Sequence, residues 1–494
     1  MIKALLKTFS LTAGFALCTG AVAHAEADAK RPNFIFFLSD DISQEDHGCY
    51  GHPVIQTPNI DRLANEGMRF DEAYLTISSC SPSRCSIITG RYPHNTGAPE
   101  LHSPLPDTQI RFPELLHENG YYTVLSGKNH MFGRQDRAFN KITDGGGPGA
   151  SDDWVGHLRD RPKDQPFFFW FAANDAHRGW QTSEHAPHYK PEQVIVPPYN
   201  FDGPMTREDL THYYHEVSRF DHFVGQVVAE LKVQGELENT FIVIASDNGR
   251  PFPRAKSRLY DSGIKTPWVV YYAPLIAEKG AVTKSFVCSI DLSATCLEIA
   301  GIEAPPAIQG QSFTPILKNP KNTVREVIFA EQNWHVYRNH SRLVRWKNYA
   351  YIRNNFPDQM NLCAESDMTY PSGKELWKAQ AANETKAFWQ TFCNPCPNEE
   401  LYDLSIDPNQ LNNLATSDEY SSAMKTSREL LAKWTEETGD TIPENPSPNR
   451  HDQPRIEDGK VIGWEKGIGG NPHAEFPGAA RNADKISRPG PISL

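Results

Sequence analysis

A chain of 494 residues has room for one large domain plus a smaller one. Only 39% of it is hydrophobic, and no internal apolar run is long enough for a membrane helix, so membrane insertion is not expected. The formal net charge of −12 argues against nucleic acid as a partner, because phosphate binding needs a basic face, and an anionic substrate would have to meet its positive contacts in a local pocket.

The first 25 residues read as a signal peptide. Lys3 and Lys7 supply the positive start, residues 11–22 are mostly apolar, and Ala23-His24-Ala25 offers a small-residue cleavage site before Glu26. The mature chain, cleaved after Ala25, is then periplasmic or secreted. In an oxidising compartment one disulfide among Cys363, Cys393 and Cys396 is expected, with the pairing left open. Cys393-Asn394-Pro395-Cys396 has no second CxxC to complete a zinc site, so a structural role is expected for it.

Four short apolar runs follow, at residues 34–38, 122–125, 166–172 and 241–245, each of a length suited to a buried parallel strand. Each ends in polar residues: Asp40-Asp41, Lys128-Asn129-His130, Asn174-Asp175-Ala176-His177 and Asp247-Asn248-Gly249. Open α/β sheets bind ligands beyond the carboxyl ends of their strands, so four such clusters point to one shared site. Between the runs, Thr57-Pro58 reads as a helix N-cap with proline in the first turn, and Gly67 as the end of that helix. Val217, Phe220, Val224, Val227, Val228 and Leu231 recur at helical spacing and mark a core-facing helix. Strand and helix alternate to about residue 300, the pattern of an α/β domain. From about residue 340 the texture changes: residues 349–352 suggest a strand and 427–434 a helix. Frequent Pro, Gly and Asn after Pro443 suggest an irregular tail. The expected boundaries are 1–25 for the signal, 26–340 for a catalytic domain and 341–494 for a C-terminal subdomain and tail.

The most specific stretch is Cys80-Ser81-Pro82-Ser83-Arg84, with Thr89-Gly90-Arg91 downstream. Pro82 fits the first turn of a helix and Gly90 its end. Cys80 then stands at a helix N-terminus, where free N–H groups favour anions, and Arg84 lies beside it on the same face. Asp40, Asp41, Asp247 and Asn248 offer hard oxygen ligands, which suit Ca²⁺, with Mg²⁺ as the alternative.

These motifs resemble the type I sulfatase signature, whose cysteine is oxidised to formylglycine. Within that family the stretches Ser78 to Arg84 and Asp247-Asn248-Gly249-Arg250-Pro251-Phe252-Pro253, together with Leu259-Tyr260 and Leu431-Ala432-Lys433-Trp434, are most similar to the sulfamidase (N-sulfoglucosamine sulfohydrolase) group. The resemblance implies an alkaline-phosphatase-like α/β fold, a mixed sheet flanked by helices, with a smaller C-terminal α+β domain. It also implies a formylglycine-generating enzyme as maturation partner, and a modified Cys80 that joins Asp40, Asp41, Asp247 and Asn248 as a metal ligand. One hydroxyl of the hydrated aldehyde attacks sulfur. Arg84 and Lys128 hold the developing charge, His177 and Lys256 contact the sulfate and help protonate the leaving group, and His130 takes the second hydroxyl proton. Lys256 is a departure, since sulfamidases tend to have arginine there, which bears on whether the substrate is N-sulfated.

Residues 331–353 form a basic stretch on an acidic chain. Within it His335 is the first candidate for substrate contact, with Arg338, and with Trp334 placed to stack on a sugar ring. The expected reaction is hydrolysis of a sulfate ester or sulfamate on a sulfated oligo- or polysaccharide. Two alternatives stand: a phosphonate or phosphate monoester hydrolase of the same superfamily, or a non-catalytic sulfated-glycan binder if Cys80 remains a thiol.

Overall fold

The computed structural model describes residues 30–366, 369–382, 384, 395–466 and 475–494. The expected cleavage site after Ala25 and Cys393 lie outside these residues; Cys363 and Cys396 are free thiols, so the expected disulfide is not formed between those two.

The four apolar runs become adjacent strands of an eight-stranded mixed sheet. From edge to edge its order is Lys141–Thr143, Tyr122–Gly127, Phe167–Ala172, Asn33–Ser39, Thr240–Ser246, Val269–Tyr271, Met68–Phe70 and Ala281–Thr283. The first five run parallel, and Val269–Tyr271 is antiparallel to both its neighbours. Every residue of Asn33–Ser39 is buried, because helices cover both faces of the sheet. Phe34, Phe36 and Leu38 enter one core with Ile87, Ile88 and Leu292, while Ile35 and Phe37 enter the other with Val217, Phe220, Val224 and Leu231 of the helix Pro204–Val233. Register then aligns the strand ends. Leu38 pairs with Ala172, Ser39 with Ser246 and Gly127 with Ala172, so the polar clusters that follow emerge along one edge.

The C-terminal part is a four-stranded antiparallel sheet of Val327–Gln332, Ser341–Trp346, Tyr349–Asn354 and Glu399–Asp403, with the helix Ser421–Thr438 against it. Trp434 stacks on Phe329 with ring centroids 5.2 Å apart, in a core that also holds Tyr74, Leu75 and Ile264 of the larger part.

Two local expectations need correction. Thr57 does precede the helix Pro58–Glu66, but its side chain does not cap it; the hydroxyl accepts from the N–H of Gly48 at 2.8 Å and donates to Asp61 at 3.0 Å. The tail beyond Pro443 is not wholly irregular either. It contains an antiparallel hairpin, His451–Glu457 and Lys460–Lys466, turning at Asp458-Gly459 with φ of 50° and 75°. An Asp-Gly pair between short strands is a strong hairpin signal that outweighs the surrounding turn-rich composition.

Candidate active site

The helix Cys80–Thr89 has no amphipathic stripe, and all ten of its residues are buried. Pro82 needs no N–H bond in the first turn. Gly90 ends the helix at φ 66°, donating to the carbonyls of Ser86 and Ile87, and a Cβ there would meet Ser293 Oγ at 2.1 Å. No side chain caps the N-terminus, because the hydroxyl of Ser79 is bonded to His335 Nδ1 at 2.8 Å. The positive end of the helix therefore bears on whatever sits beside Cys80.

Beside Cys80 lie the carboxylates. One ligand atom from each of Asp40, Asp41, Cys80 and Asp247 falls within 4.8 Å of the others, all four residues buried; among the described residues no other His, Cys, Asp or Glu group of three or more is so close. Cys80 Sγ is 3.7 Å from Asp40 Oδ1 and 4.0 Å from Asp41 Oδ1. Asp41 sits at φ 63°, and its N–H donates to Asp247 Oδ1 at 3.2 Å, tying two strand ends together. Asn248 donates through Nδ2 to Asp41, while its Oδ1 is buried with no hydrogen-bond partner.

Three cations neutralise the three acids. Arg84 reaches Asp247 Oδ2 through Nε at 2.8 Å and Nη2 at 2.7 Å, and its Nη1 donates to the carbonyl of Lys128 at 2.8 Å. Lys128 pairs with Asp40, and Lys256 Nζ lies 2.6 Å from Asp41 Oδ2 and 4.0 Å from Glu365 Oε1. Lys128 arrives through Gly127, whose φ of 92° and contact with the Ala172 carbonyl, 1.9 Å from where a Cβ would lie, admit only glycine.

Burial by itself would raise the carboxyl of Asp40, but the charges of Lys128, Arg84 and Lys256 outweigh it and hold the group well below the usual carboxylate range. Burial prevails at Asp41 and Asp247, whose carboxyls are pushed up. Burial also raises the Cys80 thiol, so the unmodified cysteine is protonated and a poor nucleophile. His130 is held down to about 2 by loss of hydration and then by Lys128 and Arg84. His177, whose ring faces solvent, is held low by the dense packing behind it and by the charge of Lys256. Both are neutral imidazoles, each able to accept a proton or to donate a hydrogen bond from the ring N–H.

Of the residues expected to meet substrate, His335 comes to the cluster through Ser79, next to Cys80. Trp334 and Arg338 are committed elsewhere: the Trp334 indole N–H donates to the Pro448 carbonyl at 2.7 Å, and Arg338 pairs with Asp358 and lies over Phe356. The basic stretch also disperses, since Arg342 is bound by Asp440, and Arg345 by Glu72 and Tyr74. Strand alternation sends these cations to different faces.

Some contributors were not singled out from the sequence. Asp175 accepts the backbone N–H of Asp40 at 2.7 Å through its carbonyl, and its carboxylate is gripped by the buried Arg219. Asp175 was visible in its strand-end cluster, but Arg219 lies within a helix that reads as plain core. Glu365 comes from the C-terminal part, and no local signal marks it.

The donor set fits a hard divalent cation. It has three carboxylates, an unpartnered amide oxygen, and a charge balance that would not otherwise favour a further anion.

Comparison with known proteins gives the family. The family described as Sulfatase matches residues 32–302, more than half of the chain, and that described as N-sulphoglucosamine sulphohydrolase, C-terminal, matches residues 254–363. An ulvan-active sulfatase of Formosa agariphila is 29% identical over 87% of this chain and 80% of its own length. The N-sulphoglucosamine sulphohydrolase of Homo sapiens is also 29% identical, over 83% of this chain and 91% of its own. Among solved structures, a protein in complex with its substrate D-glucosamine-2-N,6-O-disulfate superposes with a TM-score of 0.65 at 22% identity, covering 82% of this chain and 98% of that one. The phosphonate monoester hydrolase of Agrobacterium radiobacter shares the fold at a TM-score of 0.62 and 16% identity, covering 84% and 98%. With its α/β core, its strand-end acids and the matched span all in accord, the chain belongs to the sulfatase family.

Proposed function

We propose that this protein removes sulfate groups from a sulfated carbohydrate, as an O-sulfate ester or an N-sulfoglucosamine sulfamate, after export and after oxidation of Cys80 to formylglycine. The observation that carries the reading is the buried convergence of Asp40, Asp41, Cys80 and Asp247, neutralised by Arg84, Lys128 and Lys256. The likeness to sulfatases named for ulvan and for N-sulphoglucosamine supports the carbohydrate class.

Asp40, Asp41, Asp247 and Asn248 would hold Ca²⁺ together with the modified Cys80, and the ion would supply Lewis-acid stabilisation of negative charge. Formylglycine at position 80 would supply the oxygen nucleophile that the protonated thiol cannot be. The chain's own residues do the rest. Arg84, fixed by Asp247 and the Lys128 carbonyl, orients residue 80 from its own helix. Lys128 and Lys256 present ammonium groups to the sulfate oxygens. The Lys256 ammonium would supply the proton that a leaving oxygen or nitrogen needs, His177, neutral and facing solvent, would hydrogen-bond that atom, and His130 would accept a proton from residue 80.

The test is sulfate release by protein carrying verified formylglycine at residue 80, with Ca²⁺ present and removed. The panel pairs N-sulfoglucosamine with O-sulfated glucosamine, galactose and rhamnose units, and includes aryl sulfate and aryl phosphate. Calcium-dependent release from a saccharide supports the reading; aryl phosphate preferred by orders of magnitude overturns it.

A further inference from the structure

Beside the catalytic cluster stands a group of three aromatic rings that the chemistry above does not use as a unit. His102, His130 and Phe132 touch one another, with centroids 5.0 Å apart for His102–His130, 5.3 Å for His130–Phe132 and 5.7 Å for His102–Phe132. Phe132 is 42% exposed, although its neighbour Met131 is fully buried in the apolar core.

The backbone is strained to hold the rings there. His102, His130 and Phe132 have φ of 66°, 50° and 51°, the left-handed region that side chains other than glycine seldom occupy. Such a conformation persists only where its surroundings enforce it, commonly at functional sites.

The enforcement is visible. The N–H of His102 donates to Ser81 Oγ at 2.7 Å, one residue from Cys80. Leu105 N–H donates to the Met131 carbonyl at 3.1 Å, lacing the two segments together. Gln135 donates to the Phe132 carbonyl at 2.7 Å and accepts in turn from the buried Arg111 at 2.9 Å. Phe132 packs only by its edges against the two histidine rings and leaves much of its surface to solvent on a rigid mount. Partial burial, then Arg450 and Lys128, keep the His102 proton affinity below its ordinary value, so its ring is an uncharged face. Arg450 itself, from the C-terminal tail, adds positive potential suited to an anionic saccharide.

We propose that His102 and Phe132 form a pyranose-binding platform, on which the apolar C–H face of the substrate's sugar rests while its sulfate enters the cluster. Rigid aromatic faces with few polar partners are the usual means of orienting such a ring, and His130 links the platform directly to the reacting centre. This inference rests on the saccharide-sulfatase reading and adds to it the surface that selects the sugar.

The test compares wild type with Phe132→Gly, Phe132→Tyr and His102→Ala, each carrying formylglycine, on the panel saccharide that wild type hydrolyses fastest. Inorganic sulfate serves as a competitive inhibitor that needs no platform. Phe132→Gly relieves the backbone strain, so its melting temperature is expected to hold or rise while the saccharide KM rises about 3- to 10-fold, with kcat and sulfate inhibition unchanged. Phe132→Tyr is expected to restore KM. An unchanged KM in both Phe132→Gly and His102→Ala overturns the platform while leaving the proposed function intact. Sulfate inhibition weakening in parallel with KM also overturns it, because the rings would then merely support the sulfate pocket. A wild type that releases sulfate from aryl sulfate but from no saccharide sinks the carbohydrate reading and the platform together.

Discussion

Replacing Arg219 with methionine isolates the support beneath Asp40 from anything that touches substrate. Arg219 is fully buried; it grips the Asp175 carboxylate, with Nε 3.0 Å from Oδ2, and reaches Glu216 Oε1 at 3.1 Å. The carbonyl of Asp175 accepts the N–H of Asp40. Methionine keeps most of the volume, so the loss is electrostatic. It leaves two buried acids without their cation, which costs about 3–5 kcal/mol when one partner of a buried pair is removed. The displaced Asp175 should also loosen Asp40, raising the Ca²⁺ requirement about 10- to 100-fold, as is usual for loss of a partner behind a metal ligand. Urea unfolding measures the first effect, and calcium titration of sulfate release well below the melting temperature measures the second. The double variant Arg219→Met with Asp175→Asn should recover part of the stability, because one buried charge is gone. A stability loss under about 1 kcal/mol with an unchanged calcium titration would refute the argument.

Chelation should abolish activity and lower the melting temperature, both restored by Ca²⁺; an ion at 100 times its Kd adds about 2.7 kcal/mol, and a melting curve indifferent to calcium would count against the metal site. Lys256→Met, which strips the ammonium 2.6 Å from Asp41, should lower kcat by about 100-fold or more with the fold retained, read from steady-state kinetics. Glu100 is buried, and loss of hydration, only partly offset by the Ser447 hydroxyl at 2.6 Å, raises its carboxyl to about 7. Because that value is above the unfolded one, the folded state holds the proton more tightly. Its contribution is present below the unfolded pKa and is lost as pH rises toward 7. Glu100→Gln should therefore match wild type near pH 4 and exceed it in stability at pH 8, a difference that thermal melts across pH will show or deny.

Much of this protein was legible in its linear order. Four apolar runs, a proline at the third position of a helix and a glycine at its end are local instructions, written in side-chain shape and backbone freedom, and they place Cys80, Asp40, Asp41, Lys128, His177 and Asp247 at element ends without reference to the rest of the chain. Tertiary structure decided what those residues meet. The basic stretch 331–353 looked like one surface, yet pleating turned its arginines toward separate acids, and only His335 was delivered to the cluster. Arg219, Glu365 and the paired segments bearing His102 and Phe132 carry no local mark, because their roles come from contacts across long sequence separations. Periodicity reports which face of an element is apolar; it does not report which distant element will cover it, and charge neutralisation, strain and substrate contact are all properties of that covering.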